Sequence, residues 1–234
     1  MASEESLKVL APTAILGYGY PLASLQAGMA RGVDVIAVDA GSTDPGPYYL
    51  GSGKSFTDRN PVKRDLRHIL AAGRQADIPV IVGSCGGSGA APHLAWCRDI
   101  VEELVREDGL SFRMGIIHAD IGRDAVRVAL NEGRISALPN VPPLTENDIE
   151  DSVNIVAQIG VEPILKALEA GCRVVLCGRA YDPAAFAAEA IRRGYDRGPA
   201  LHMGKILECA AIAAHPGSGS DCAMGELLED CFRL

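Results

Sequence analysis

The residue types most often used for chemistry follow five short apolar runs of this chain. Segments rich in glycine, acidic, hydroxyl or cationic side chains begin near Gly17, Asp39, Ser84, His118 and Gly178. In an open parallel sheet, ligands bind beyond the carboxyl ends of the strands. If the apolar runs are parallel strands, these segments share one edge, and the sequence predicts a single functional site there.

The loop Gly83–Gly89 stands between an apolar run and a helical stretch. Backbone N–H groups in such a loop, together with a helix N-terminus, suit a phosphate or a carboxylate. The loop matches neither the P-loop pattern nor a strict GxGxxG fingerprint. Two alternatives stay open: a glycine turn needed only for close packing, and a Cys85 nucleophile activated by the helix N-terminus. The candidate anion-binding residues of this loop are Ser84, Cys85, Gly86, Gly87 and Ser88.

Asp39, His118 and Asp120 are the candidates for acid–base catalysis or for binding a divalent metal ion. Asp39 ends an apolar run, which is a usual position for a base, a metal ligand or a ribose contact. His118 and Asp120 are two residues apart, so an extended backbone points both side chains to one side. Imidazole and carboxylate groups transfer protons and bind metal ions. The structural alternative is a hydrogen-bonded histidine and a helix-capping aspartate.

Further polar residues in the neighbouring loops are candidates for holding an anionic substrate. Arg179 follows the fifth apolar run, and a guanidinium can hold a carboxylate through two parallel hydrogen bonds. Lys54 belongs to a long Gly/Pro/Ser loop that lacks the strand and the glycine spacing of a P-loop, so an NTPase is not predicted. A solvated lysine is the alternative there. The remaining candidates are Ser42, Thr43 and Asp182.

Short β-branched runs alternate with longer helical patterns along the chain. Strands are predicted at residues 9–16, 33–38, 79–82, 112–117 and 173–177. Helices are predicted at residues 22–31, 61–76, 92–107, 123–132, 145–158, 162–170, 183–193 and 203–214. Because the strands are apolar on both faces, helices should cover both sides of the sheet. The predicted fold class is α/β, a doubly wound, mostly parallel, Rossmann-like sheet, in a single α/β domain over residues 1–234.

The composition restricts the partners. A net charge of −8 argues against nucleic acid, because phosphate binding needs a basic face, and also against an anionic membrane surface. No apolar run reaches the length of a membrane span, and the acidic N-terminus does not resemble a secretory signal. The seven cysteines include no CxxC pair, which is typical of a reduced cytosolic protein. A cytoplasmic location is therefore expected.

Three motifs together are distinctive: the string from Asp39 to Lys54 (DAGSTDPGPYYLGSGK), the loop Gly83–Gly89, and Gly178–Pro183 (GRAYDP). With them the chain resembles the acyclic terpene utilisation (AtuA-like) family, from about Gly17 onward. The resemblance implies a cytosolic α/β protein in the catabolism of terpenoids and small organic acids, and it implies no particular catalytic residues. Family members are usually longer, so it also implies that this chain is the N-terminal part of a longer architecture.

The residues and the resemblance together predict a cytosolic catabolic enzyme. Its substrate is a small carboxylate or the corresponding CoA thioester, and lyase, hydratase or hydrolase chemistry is expected because no clean dinucleotide fingerprint is present. The cofactor stays open, and the candidates are a divalent metal and a CoA thioester. A non-catalytic ligand-binding subunit of a larger complex and a dinucleotide-binding oxidoreductase are the alternatives. The expected partners are a small anionic ligand and, at residues 200–234, a second copy or a second polypeptide that completes the C-terminal edge of the sheet.

Overall fold

The computed structural model describes residues 6–234, so the acidic start of the chain at residues 1–5 lies outside the described residues. Its strands form one sheet with the order β4-β5-β3-β2-β1-β6-β7. Strands β1 to β5 are parallel, and β6 pairs antiparallel with both β1 and β7. The predicted mostly parallel α/β sheet is confirmed. The strands are β1 (Leu7–Ala11), β2 (Val35–Asp39), β3 (Val80–Gly83), β4 (Met114–Ile117), β5 (Val174–Cys177), β6 (Ala223–Leu227) and β7 (Phe232–Arg233).

Helices cover both faces of the sheet. The helices are α1 (Leu22–Met29), α2 (Tyr48–Ser52), α3 (Arg59–Ala76), α4 (Ala91–Asp108), α5 (Arg123–Asn131), α6 (Glu146–Asp151), α7 (Glu162–Glu169), α8 (Ala184–Arg192) and α9 (Arg197–Leu207), with a 3₁₀ turn at Ala210–Ala213. Helices α1, α3 and α4 pack on one face, and α7, α8 and α9 pack on the other. After the edge strand β4 the chain returns to the inner strand β5, so the order in which strands are added across the sheet reverses, and helices α7, α8 and α9 lie on the opposite face.

Small residues allow the helices of the second face to pack closely. Residues 184–190 of α8 are all buried, and five of the seven are alanine. A Cβ atom at Gly204 of α9 would lie 2.8 Å from the Pro183 carbonyl oxygen. Alanine and glycine, which are abundant in this chain, thus allow close contacts between helices.

Several predicted boundaries are wrong. The first strand ends at Ala11, before Pro12, and helix α3 begins at Arg59, so that Pro61 lies inside its first turn. The helix predicted at residues 203–214 is α9, which ends at Leu207. Strand β6 lies at residues for which no strand is predicted from the sequence.

The helix predicted at residues 145–158 stops at Asp151. Residues 152–160, here called the crossing segment, instead bond to the loops that follow β4 and β5. Ala157 N–H donates to the Ala119 carbonyl at 2.8 Å, and Ile159 N–H donates to the Arg179 carbonyl at 3.0 Å. These long-range bonds replace the helical hydrogen bonds that the local pattern favours.

The C-terminal strand β7 pairs with β6 on one side. Among residues 6–234, no strand pairs with its other side. The expected association through residues 200–234 stays a prediction. No helix within the described part of the chain is long and apolar enough to cross a membrane.

Candidate functional site

The carboxyl ends of β2, β3 and β5 bring together three of the residues predicted for the site. Asp39 is the last residue of β2 and lies opposite Gly83 of β3, and Ser84 follows directly. Arg179 lies two residues beyond β5. Because these strands are adjacent and parallel, their side chains meet at the same edge of the sheet, as predicted.

The Arg179 guanidinium connects the loops that follow β3 and β5. It donates to the Ser84 hydroxyl through Nη1 at 3.4 Å and to Asp182 Oδ1 through Nη2 at 3.2 Å. The Arg179 residue is 7% exposed, and Ser84 is fully buried. The Ser84 hydroxyl oxygen also accepts the Ala180 N–H at 3.3 Å. Arg179 is thus held in a fixed position under the edge rather than projecting into solvent.

The charged cluster extends to helix α9. Lys205 Nζ donates to Asp182 Oδ2 at 3.0 Å and to Glu208 Oε1 at 2.8 Å. The hydrogen bond to Glu208 is the largest cause of a raised pKa at Lys205, which keeps its ammonium charged. We call Asp39, Arg179, Asp182, Lys205 and Glu208 the edge charge cluster. Asp182, which the sequence predicts as an anion-binding residue, belongs to this cluster, and Pro183 is the N-cap residue of α8.

Lys205 and Glu208 were not predicted as site residues. A lysine and a glutamate three residues apart on a helix are typical of a solvated surface pair. Only the packing of α9 against α8 brings them to Asp182, which is 23 residues away from Lys205 along the chain. No local signal in the sequence distinguishes them.

The pKa of the Asp39 carboxyl is raised from 3.8 to about 7, and burial is the largest cause. The negative charges of Asp182 and Glu208 also raise this pKa, whereas the Arg179 cation and the Gly41 N–H lower it. The Asp39 residue is 4% exposed, and Gly41 N lies 3.4 Å from its Oδ1. The carboxyl is therefore divided between its protonated and ionised forms near neutral pH, which suits a group that both gives and accepts a proton.

The glycine loop is built for close packing as well as for exposing N–H groups. A Cβ atom at Gly41 would lie 2.0 Å from the Gly87 Cα, and one at Gly89 would lie 2.1 Å from the Arg179 nitrogen. The N–H groups of Cys85, Gly87 and Gly89 bond to carbonyls. Among residues 6–234, no protein acceptor is found for the N–H groups of Gly86 and Ser88. The packing alternative is thus present in the structure, and anion binding by this loop stays a prediction.

Cys85 does not present its thiol to a ligand. Its side chain is fully buried in the core formed with α3 and α4, and its Sγ lies 3.9 Å from the Val82 carbonyl oxygen. Burial and the neighbouring Cys97 raise the pKa of the Cys85 thiol well above its ordinary value. This is the opposite of the activation that a nucleophile needs, so the structure favours a core contact over the nucleophile alternative, and the part of Cys85 in anion binding stays a prediction.

His118 and Asp120 lie side by side, as the spacing predicts, with Nδ1 and Oδ2 3.9 Å apart. The Asp120 carboxylate accepts the Ala91 N–H at 2.8 Å and so caps the start of α4. The His118 side chain is 66% exposed. Neither residue contacts the edge charge cluster, so within the described chain Asp39 stands apart from them. The catalytic role of this pair stays a prediction.

Three predicted site residues in the loop after β2 lie outside the edge charge cluster: Ser42, Thr43 and Lys54. The Ser42 hydroxyl accepts the Asp44 N–H at 3.1 Å and closes a local turn. Thr43 and Lys54 are exposed. Their part in ligand binding stays a prediction.

His93 is a further residue that the sequence analysis did not predict for the site. It is fully buried near the start of α4, and its Nε2 lies 3.0 Å from the carbonyl oxygens of both Tyr49 and Lys54. It thereby connects α4 to the loop that contains Lys54. The sequence signal is weak: His93 stands in the first turn after the glycine loop.

No group of three His, Cys, Asp or Glu side chains within residues 6–234 is arranged to hold a metal ion. Asp39, His118 and Asp120 therefore do not form the three-ligand set that a divalent metal would need. The residues brought together at the edge are suited to binding an anion and to moving a proton.

The family model described as "Acyclic terpene utilisation family protein AtuA" matches residues 57–219. The chain belongs to this family. The matched range includes Ser84, Arg179 and the α9 part of the edge charge cluster, and Asp39 precedes it. Membership in the AtuA family implies a role in terpene utilisation. No curated protein matches the chain, and no solved structure does.

Proposed function

We propose that this AtuA-family chain is a catabolic enzyme that acts on a carboxylate or its CoA thioester by lyase, hydratase or hydrolase chemistry. Asp39 is the general acid–base group, and Arg179 with the glycine loop binds the anionic part of the substrate. The observation that supports this most is the position of a buried carboxyl, with a pKa of about 7, beside a buried arginine at the carboxyl edge of the sheet.

Proton transfer is the chemistry that Asp39 suits best. Lyases and hydratases remove a proton next to a carbonyl or deliver one to a leaving group, and hydrolases activate water. An ordinary exposed aspartate is too weak a base for these steps at neutral pH, whereas a carboxyl with a pKa near the working pH performs both transfers. Asp182 and Glu208 assist by raising the pKa of Asp39.

Arg179 supports anion binding because its guanidinium is incompletely used. Its five N–H donors make one bond to Ser84 and one to Asp182 among the described side chains, both longer than 3.1 Å. A ligand carboxylate that approached from the edge would meet the remaining donors, and the Gly86 and Ser88 N–H groups would lie on the side of β3. Lys205 would then keep Asp182 neutralised.

An apolar rim around this edge supports a substrate with an apolar body. Exposed large side chains lie in the loops that follow β1, β2, β4 and β5 and in the crossing segment. Tyr18, Phe56, Tyr49 and Tyr48 form a row with successive ring-centre distances of 6.5, 5.4 and 5.3 Å. The exposed members of the rim are Tyr18, Tyr48, Ile121, Val153 and Tyr181. A branched or linear acyl chain fits this combination better than a small polar acid does.

Thermal-shift measurements with hexanoate, hexanoyl-CoA, CoA, NAD⁺ and Mg²⁺ test the proposal, followed by mass spectrometry for product. We expect hexanoate or hexanoyl-CoA to raise the melting temperature of the wild type, because a ligand that binds the folded state stabilises it. Asp39→Asn should retain binding and lose product formation, whereas Asp44→Asn, an exposed acid in the same loop, should behave as wild type.

The same measurements separate the alternatives. Binding without product in every condition would favour a ligand-binding subunit, and a shift with NAD⁺ alone would favour an oxidoreductase. Either result would contradict the proposed function.

A further inference from the structure

We infer that His93 is a positioning residue that holds residues 48–54, and Lys54 with them, against the glycine loop. Its Nε2 is 3.0 Å from the Tyr49 carbonyl oxygen and 3.0 Å from the Lys54 carbonyl oxygen. These two carbonyls stand at the beginning and the end of the segment that includes α2. One buried imidazole therefore fixes both ends of the segment to helix α4.

The protonation of the ring follows from its partners. Carbonyl oxygens only accept hydrogen bonds, so Nε2 must carry the proton and donate it to them. In the neutral ring, Nδ1 is then an acceptor, and it is buried without a hydrogen-bond partner. Leaving a buried polar atom unpaired is unfavourable, and a leucine would fill the same space without that penalty. The imidazole is useful at this position for the N–H that it directs at the segment.

The segment depends on such bonds because it buries little of itself. None of the residues of α2 is buried. Its other attachments are the Asn154 side-chain amide, which donates to the Leu50 carbonyl at 2.7 Å, and the Phe56 N–H, which donates to the Gly86 carbonyl at 3.1 Å. A segment with few apolar contacts and few attachments opens locally, well below the free energy of global unfolding.

The consequence concerns Lys54. Its side chain is exposed, and it has no acidic partner among residues 6–234. The Phe56–Gly86 bond places the backbone two residues after Lys54 directly on the glycine loop. His93 therefore keeps the backbone of an unpaired cation close to the glycine loop, where the Gly86 and Ser88 N–H groups have no protein acceptor among residues 6–234. The role of Lys54 toward an anion rests on the proposed function, whereas the positioning of the segment does not.

Limited digestion of the intact chain with trypsin tests the positioning, with mass spectrometry to compare cleavage after Lys54 with cleavage after Arg134. Arg134 lies in an exposed loop that has no bond to α4, so it serves as an internal reference. In His93→Leu, we expect the ratio of Lys54 to Arg134 cleavage to rise roughly tenfold, because two hydrogen bonds that close the segment are lost. His93→Gln retains an N–H donor near Nε2 and should keep the ratio close to that of wild type.

Two further variants keep the test decisive. Ile100→Ala makes a cavity in the same helix without a bond to the segment, so it should lower the melting temperature and leave the ratio unchanged. Asn154→Ala removes the second attachment and should raise the ratio even if the His93 variants fold poorly. An unchanged ratio in His93→Leu, or an equal rise in Ile100→Ala, would overturn the positioning role.

Affinity for hexanoyl-CoA then separates this inference from the proposed function. If the wild type binds the thioester, Lys54→Met and His93→Leu should both weaken binding by at least about fivefold, a loss of one charged contact. Unchanged affinity in both would contradict the role of Lys54. If the wild type does not bind the thioester, the proposed function fails, and the cleavage ratio still decides whether His93 holds the segment.

Discussion

Arg179 and Asp182 form an ion pair with 3.2 Å between Nη2 and Oδ1, three residues apart along the chain and immediately beyond β5. The pair is mostly buried on the arginine side and is completed by Lys205 on the other carboxylate oxygen. The Arg179 charge acts on two carboxylates at once, because it also lowers the pKa of Asp39. This one guanidinium therefore couples Asp182 and Asp39 electrostatically.

Replacing Arg179 should disturb both binding and the acid–base group. In Arg179→Met, we expect a loss of stability of about 3 kcal/mol, since the partners of a buried ion pair are left uncompensated, and a pKa of Asp39 above its wild-type value. Arg179→Lys keeps the charge but not the planar fork, so it should fold better and still lose anion affinity. Chemical denaturation and ligand titration measure the two effects.

The exposed Arg98, which pairs with Glu102 at 3.3 Å, is the matched control. Arg98→Met should change stability by less than about 0.5 kcal/mol, as is usual for a surface pair. Equal losses of stability in the two arginine-to-methionine variants would show that the Arg179 ion pair contributes no more to stability than a surface ion pair does.

Gly41 is expected to be intolerant of any side chain. Its Cβ would be 2.0 Å from the Gly87 Cα and 2.4 Å from the Gly87 carbonyl oxygen, and neither backbone atom can rotate away. Gly41→Ala should destabilise the fold by about 2 kcal/mol, the usual cost of overpacking, and should displace the glycine loop. The measurement is the free energy of unfolding in urea, together with hexanoate affinity.

Gly51 of α2 provides the control, because a Cβ atom at this position would have nothing within 4 Å of it. Gly51→Ala should be neutral or stabilising by up to about 1 kcal/mol, owing to the better helix propensity of alanine. A Gly41→Ala protein as stable as Gly51→Ala would contradict the close contact between Gly41 and the glycine loop.

The cysteines should divide sharply in reactivity. Cys231 is exposed, whereas Cys85, Cys97, Cys172 and Cys177 are buried. Burial raises the pKa of Cys177 to about 12 and raises that of Cys85 as well. In native protein near pH 8, iodoacetamide should modify Cys231 first and leave the four buried thiols unmodified until the chain unfolds, since the thiolate is the reactive form. Rapid native modification of Cys85 would restore the nucleophile hypothesis.

The parts of the fold that sequence patterns predicted well are those governed by local apolar periodicity. The predicted helices at 61–76 and 92–107 correspond to α3 and α4 within two residues at each end, and the five parallel strands were all located. The two helices have apolar residues along one face, and the five strands are short apolar runs. In each case the apolar pattern fits only one type of element. The common edge of Asp39, Ser84 and Arg179 followed from that sheet and from the position of each residue after a strand.

The parts that were missed depend on contacts between distant segments. The crossing segment is extended because Ala119 and Arg179 offer it carbonyl partners, and nothing within residues 152–160 signals this. Lys205 contacts Asp182 only because α9 packs against α8. His93 contacts residues 48–54 only because the long loop after β2 folds back onto α4. Sequence spacing indicates which residues lie on the same helix or strand. These contacts instead join residues of different elements.

Stability should depend on pH through Asp39 in a definite direction. The folded carboxyl keeps its proton up to a pKa of about 7, whereas the unfolded chain releases it near 3.8. The folded state binds more protons in between, so the free energy of unfolding falls as pH rises from about 4 to about 7 and levels off above that. The full difference corresponds to roughly 4 kcal/mol. In Asp39→Asn this decline should be missing, so the variant gains stability relative to wild type between pH 5 and pH 8 in urea denaturation; parallel curves for the two proteins would contradict this.

The pKa of Asp39 itself is the most direct test of the proposed acid–base role. Carbon-13 NMR of protein labelled at the aspartate carboxyl carbons follows each side chain through a pH titration, and the resonance missing in Asp39→Asn identifies Asp39. We expect this resonance to titrate with a pKa of about 7, and to move higher in Arg179→Met. A resonance that titrates near the ordinary value of 3.8 would show that Asp39 is an ionised structural group at neutral pH, and the acid–base role proposed for it would be wrong.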